Sequence, residues 1–446
     1  MATKTKRPTK HTIPVLESVR IKNYRVLKDV ELTDLQPLTV LLGKNGSGKS
    51  TIFDVFAFLS DCFTDGLRKA VETRGRFKEL RSRDASGPIV IEVKYREPGL
   101  TPITYHLEID ESDRGPVVVH EWLQWTRKVG GGGGKPFRFL DFTRGQGVAI
   151  SGDHPDDRDT RQPENLKRPD AIAVSALGQF EKHPRVAALR DFITGWYLSY
   201  LTTTSSGARH IPEAGPQERL TQTGSNLANV VQYLAEQHPE RLERIVAVLR
   251  DRVPGLGDVD TRLLDTGHLL LQVKDAAFKD PVQARFVSDG TLKLLAYLTV
   301  LYDPEPPPFV GIEEPENFLY PEFLEELAGE CRSASDHSQV LVTTHSPWFV
   351  NACRPEEVRV IYRGKDGYAR VWNVDKGARI KPMIEAGAQL GQLWMEGHIV
   401  PDDPLKPAPP SRRTETSPPT KARPAPKTAK KTAAMVTKQP GRWGRP

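Results

Sequence analysis

Cysteine is scarce: Cys62, Cys331 and Cys353 are three in a chain of 446 residues. Each falls in an apolar or helical stretch, and none has the spacing of a metal knuckle. This excludes a disulfide-stapled scaffold and points to packing thiols in a reducing cytosol. No apolar run approaches the ~20 residues of a membrane-spanning helix, and no secretory leader is visible. Together these absences predict a cytoplasmic protein with no membrane partner. A sustained apolar heptad is also missing, so no long coiled coil is expected. The hydrophobic share is low, at 38%.

Much of that shortfall is local. From Lys406 to Pro446 the chain is mostly Pro, Ala, Thr, Lys and Arg with almost no large apolar side chain, and carries eleven cations against Glu415. A segment of this composition cannot bury a core and is expected to be disordered. With Lys4, Lys6, Arg7 and Lys10, the two ends carry +14 against +6 for the whole, leaving −8 on residues 11–405. The basic ends either touch nucleic acid or solubilise the chain, and the acidic body is no obvious nucleic-acid groove. The expected organisation is a basic arm (1–13), one head (14–400) and a disordered tail (401–446). Within the head we expect an N-lobe (14–165), a helical insert (166–255) and a C-lobe (256–400).

What is present is a phosphate cradle. Gly43-Lys44-Asn45-Gly46-Ser47-Gly48-Lys49-Ser50-Thr51 is a complete P-loop. Its glycines let backbone amides curl towards phosphates, Lys49 supplies charge to the β- and γ-phosphates, and Ser50 is the expected Mg²⁺ ligand. Pro37 to Leu42 reads as a buried strand entering the loop. Ile52, Val55, Phe56, Leu59 and Phe63 keep helical spacing after it, so a helix dipole also faces the site.

Two later apolar strands end in polar residues. Phe309-Val310-Gly311-Ile312 has no polar side chain, as a strand buried on both faces requires. It runs straight into Glu313 and Glu314, where open α/β sheets hold ligands. Glu313 is expected to hold Mg²⁺ through water, and Glu314 to polarise the attacking water. An acidic helix start accounts for Glu316 and Glu322, but poorly for Glu313 and Glu314. After a helix from Pro321 to about Ser333 comes Val340-Leu341-Val342, with His345 just past its end. A right-handed βαβ unit sets this strand beside the first, so His345 should face the same crevice and could sense the γ-phosphate.

These residues resemble the ATP-binding-cassette ATPase superfamily, in its branch of RecF, SMC and OLD proteins and bacterial "predicted AAA family ATPases". Asn45 matches the branch's G-x-N-G-x-G-K-S loop, and Ile21 to Leu27 resembles its opening strand. Ser288-Asp289-Gly290-Thr291 resembles the signature loop, Glu313 to Glu316 the catalytic strand end and D-loop, and His345 the switch histidine. The resemblance runs from about Leu16 to Trp394. It implies ATP and Mg²⁺ as ligands and a homodimer closing on ATP, with Ser288 and Gly290 reaching the γ-phosphate held by the other copy. A Ser hydroxyl, a glycine amide and a helix N-terminus make a sensible anion site, although S-D-G-T also reads as an ordinary N-cap before Leu292. The resemblance further places Arg25 near the nucleotide. It implies a role in DNA transactions or phage defence, with a nuclease or other effector as partner.

There are departures. No glutamine loop stands out, and Glu313 occupies a position where transport ATPases usually have Asp. Lys49 and Ser288 lie 239 residues apart, farther than in that class. The 58 residues between His345 and Asp403 are too few for the Toprim nuclease domain of OLD relatives.

The remaining pattern predicts an α/β P-loop fold: a mixed, mainly parallel sheet with a flanking antiparallel sheet and a helical insert. Strands are expected at Ile89–Tyr95, Ile103–Ile109, Val117–Trp125, Phe137–Phe142 and Gly147–Ile150. Gly130 to Gly134 reads as a loop among them, and 153–170 as a polar, mobile stretch. Helices are expected over Asp170–Leu201 and Leu227–Val253. Val358–Tyr362 and Tyr368–Val374 flank Gly364-Lys365-Asp366-Gly367 as a hairpin.

Overall fold

The computed structural model describes residues 13–127, 135–152, 160–201, 209–215 and 217–399. The Gly130–Gly134 loop, the tail and all but Ile13 of the arm lie outside them.

Alternation of apolar and polar residues builds the first sheet. Its strands are β1 (Val15–Tyr24), β2 (Leu27–Leu32), β4 (Ile89–Arg96), β5 (Ile103–Ser112), β6 (Gly115–Arg127), β7 (Lys135–Thr143), β8 (Gln146–Ala149) and β9 (Gln162–Asn165). They are antiparallel throughout, in the order β2-β1-β4-β5-β6-β7-β8-β9. The five strands expected from alternation are all here. Residues 160–170 depart from the mobile stretch expected there: β9 pairs with β8, and the nearly buried Asp170 is held by Arg68 and Arg168.

The second sheet joins β3 (Leu38–Leu42), β10 (Tyr197–Ser199), β14 (Phe309–Glu313), β15 (Gln339–Thr344), β16 (Val358–Arg363) and β17 (Ala369–Asn373), in the order β10-β14-β15-β3-β16-β17. The first five are parallel and β17 closes one edge antiparallel, as the hairpin pattern predicts. The segment read as a helical insert thus also lends the central sheet its strand β10. A third sheet, β11 (Leu256–Leu263), β12 (Leu269–Asp275) and β13 (Val282–Gln283), is antiparallel.

Period two on the central strands sorts two cores. Leu41, Phe309 and Leu341 pack with the inner face of the eight-stranded sheet and with the helix Lys49–Thr64. That helix is apolar well beyond one stripe because a sheet lies on either side: Ile52, Phe53, Val55, Phe56, Phe58, Leu59, Cys62 and Phe63 are all buried. Phe56 stacks on Phe309 of β14, centroids 5.1 Å apart, a pairing that adds ~0.5–1.5 kcal/mol beyond area burial. It also fixes the P-loop helix against the strand that carries the carboxylates. On the other face, Leu38, Val40, Leu42, Val310, Ile312, Val340 and Val342 pack with the helices Asp289–Leu301 and Pro321–Ala334.

Candidate nucleotide site

Three neighbouring parallel strands deliver the site. In register, Glu313 of β14 faces Thr343 of β15, and Thr343 and Thr344 face Leu41 and Leu42 of β3. The P-loop, the carboxylates and His345 therefore all leave the C-terminal edge of one sheet, side by side. Sequence reasoning placed β14 beside β15; the structure adds that β15 separates β14 from the P-loop strand.

The P-loop runs from Gly43, whose amide donates to Thr344 O at 3.2 Å, into the helix at Lys49. Gly48 has φ +116°, and a Cβ there would sit 3.1 Å from Ala369 Cβ, so only glycine fits this turn. Lys44, Asn45, Gly46 and Ser50 are exposed, Thr51 is half-buried, and Ser47 and Lys49 are buried. The Lys49 side chain is 3% exposed, and its ammonium donates to Gly43 O at 2.8 Å and Lys44 O at 3.3 Å, with Glu314 Oε1 at 3.4 Å. No side chain caps the 16-residue helix and its first turn has no acid. The buried Ser47 hydroxyl lacks a hydrogen-bond partner. Uncapped amides, a buried cation and an orphaned hydroxyl are the donor set of an anion site, so a triphosphate fits these residues.

Glu313 and Ser50 are hydrogen-bonded to each other. Burial, then Glu314 and Asp54, push the Glu313 carboxyl above its ordinary range, against the pull of Ser50 and Lys49. Two oxygen donors, one carboxylate and one hydroxyl, suit Mg²⁺ completed by phosphate and water. Glu314 has φ +42°, a conformation that strains a side-chain-bearing residue. It is held there by its amide, which donates to Thr343 O at 2.9 Å and to Thr343 Oγ1 at 3.2 Å.

His345 is 39% exposed, and its Nδ1 lies 2.9 Å from Glu316 Oε1 and 3.7 Å from Glu314 Oε1. Its backbone N–H donates to Glu316 at 2.6 Å. Glu316, which the sequence pattern left as an acidic helix start, is therefore the seat of the histidine. A third carboxylate two residues past the Glu pair was the available signal.

A second residue escaped sequence reasoning. Lys293, on the second turn of the helix that Ser288 opens, is buried among apolar neighbours and donates to Asn317 O at 3.0 Å and Glu314 O at 3.5 Å. Burial pulls its ammonium down to about 8, against the attraction of Glu316 and Glu314. The only charged side chain in the run 292–300 was the signal.

Ser288 caps the helix Asp289–Leu301, its Oγ accepting from Thr291 N and pairing with Thr291 Oγ1 at 2.7 Å. The ordinary cap is real, and its side-chain hydrogen bonds stay within its own turn. Gly290 sits so close to the turn after Glu316 that a Cβ would meet Phe318 O at 2.5 Å. Arg25, with φ +48°, pairs at 2.9 Å with Asp54 of the P-loop helix. The same carboxylate accepts from Tyr24 and Arg74.

Fold and site together define an α/β P-loop domain of the AAA and ABC-type nucleotide-binding class. A family model described as "AAA domain, putative AbiEii toxin, Type IV TA system" matches residues 38–351, and the chain belongs to that family. No curated protein matches. Among solved structures, the Smc head bound to the C-terminal winged-helix domain of ScpA is 15% identical, with TM-score 0.52, covering 81% of this chain and 99% of that one. An Smc head with extended coiled coil from Pyrococcus furiosus, bound to the C-terminal domain of ScpA, is 14% identical at TM-score 0.48, covering 84% and 100%. The SMC head domain from Thermotoga maritima is 12% identical at TM-score 0.37, covering 80% and 98%. At such identities the first likeness speaks to fold alone. No helix among the described residues is long and apolar enough to cross a membrane.

Proposed function

We propose that this chain is an ATPase whose head, residues 14–400, binds ATP with Mg²⁺ and hydrolyses it between two copies. The observation that carries the reading is the meeting of Lys49, Ser50, Glu313, Glu314 and the Glu316-seated His345 at adjacent strand ends. The P-loop amides and Lys49 hold the phosphates. Ser50 and Glu313 hold the magnesium ion, which when bound screens the phosphate charge. Glu314 orients and polarises the water. With Nδ1 turned to Glu316, His345 keeps Nε2 for the γ-phosphate, and Arg25, which pairs with Asp54 of the P-loop helix, is proposed to reach towards the nucleotide.

Ser288 and Gly290 complete the site of the other copy by offering that γ-phosphate a hydroxyl, an amide and a helix N-terminus. Two exposed aromatic side chains flank them, Phe286 and Phe318, and closure on a second copy would cover both. The setting we favour is phage defence with a nuclease or toxin as effector, supported by the toxin–antitoxin description of the family. DNA transactions through the basic ends are the second setting, supported by the +14 charge of the two ends.

Glu314→Gln tests this directly. The variant keeps shape but loses the charge that polarises water, so phosphate release should fall at least ~10²-fold. Its mass in light scattering should double on adding ATP·Mg²⁺, and Ser288→Arg in the same background should abolish that doubling while ATP still binds. Wild-type turnover in Glu314→Gln with no change of mass would overturn the reading. A wild-type chain that dimerises on ATP without releasing phosphate would instead be an ATP-gated scaffold for its effector.

A further inference from the structure

The outer face of the eight-stranded sheet carries a cluster that ATP chemistry does not use. Glu92 of β4 pairs in register with His106 of β5, Glu108 of β5 with His120 of β6, and Trp122 of β6 with Asp141 of β7. The register slips between Glu108 and Ile109, a bulge of the kind that re-aims side chains. Beyond it, His120 and Trp122 share the outer face while Glu121 between them is fully buried.

Both rings are held. His106 Nδ1 lies 3.1 Å from Glu92 Oε2, and the ring stacks on Trp122 with centroids 4.7 Å apart and planes 8° from parallel. His120 Nε2 lies 2.8 Å from Asp141 Oδ1, whose other oxygen accepts from Arg138 at 3.0 Å. Arg138 in turn covers the Trp122 ring at 4.6 Å. Carboxylates that fix the tautomer and direction of a histidine are the usual outer support of a metal ligand.

The other nitrogen of His106, Nε2, is 3.0 Å from Glu108 Oε1. A neutral imidazole has one N–H, so it cannot donate to Glu92 and Glu108 together. A second ring proton, or a metal ion shared by Nε2 and Glu108, removes that conflict. Two ligands on one tetrahedral zinc ion, with bonds of ~2.0–2.1 Å, stand about 3.3 Å apart, close to the separation already present. One ligand atom from each of His106, Glu108 and His120 lies within 4.8 Å of the others, so a small inward shift brings the three onto one ion. This is the sole such trio among the described residues.

We propose that His106, Glu108 and His120 bind a divalent transition-metal ion of the zinc type, with Glu92 and Asp141 orienting the two rings and water as fourth ligand. Two imidazoles select zinc over the magnesium of the nucleotide site. The ion ties β5 to β6, so it stabilises the folded chain by mass action.

The test uses untagged, chelator-stripped full-length chain, titrated calorimetrically with Zn²⁺ in excess Mg²⁺ and melted with and without Zn²⁺. The expected result is one zinc ion per chain and a raised melting temperature. His120→Ala and the near-isosteric Glu108→Gln should each weaken binding at least tenfold, with Mg²⁺-dependent phosphate release unchanged. Glu108→Gln keeps the test sharp if His120→Ala folds poorly. Zinc binding that is absent, or equally tight in wild type and Glu108→Gln, would overturn the proposal.

Discussion

Glu316 Oε1 accepts the backbone N–H of His345 at 2.6 Å and lies 2.9 Å from the ring Nδ1. The histidine leaves a strand end where backbone pairing has stopped, and this carboxylate replaces the sheet in fixing its position.

Removing that seat should therefore hurt turnover more than binding. Glu316→Ala leaves a partly buried N–H without a partner and frees the ring, so phosphate release should drop by roughly 10²-fold, the size of a lost positioned acid–base group. Glu316→Gln keeps an oxygen for the N–H and should fall less. Steady-state phosphate release beside fluorescent-nucleotide binding separates the two effects. Equal loss of binding and turnover in Glu316→Ala would show that the carboxylate supports the loop as a whole.

Lys49 makes a second prediction. Its ammonium bridges the loop carbonyls Gly43 O and Lys44 O to Glu314, so it is already placed where phosphate charge would accumulate. Lys49→Ala should abolish most ATP binding, since it removes the side-chain cation of the cradle. Equilibrium binding of ATP·Mg²⁺ unchanged in that variant would show that the loop holds something else.

How legible the site was depended on how local each part is. The P-loop is nine consecutive residues between a strand and a helix, and the carboxylates abut an apolar strand, so residue order alone displayed them. The antiparallel strands were readable because Ile89, Ile91, Val93 and Tyr95 alternate inward without a break. What escaped depends on tertiary contact. Glu316 acts on a residue 29 positions away, and Arg25 meets Asp54 only once β1 and β2 lie against the P-loop helix. The three-residue strand β10 is too short to show a period, yet the exposed edge of β14 recruits it. The helical stretch from Leu227 divides at His238, where Pro239 begins a new helix: proline has no N–H to continue the first one.

Lys293 supplies the last prediction, because its charge is costly where it sits. Burial brings its ammonium from 10.5 to about 8. Between those values the folded chain has released a proton that the unfolded chain still binds, so stability rises with pH across that window. Below pH 8 both states are charged and the full burial penalty is felt. Lys293→Met removes the group and should flatten the rise, which a shift of this size sets at roughly 3 kcal/mol. The same substitution withdraws the donor to Asn317 O and Glu314 O, loosening the strained turn that aims the Glu314 carboxylate. The variant should thus melt no lower than wild type at pH 7 yet release phosphate several-fold more slowly. Urea unfolding from pH 7 to 10 alongside phosphate release checks both halves. A wild-type pH slope in Lys293→Met would place the titration elsewhere, and wild-type turnover would show that Thr343 alone holds the Glu314 turn.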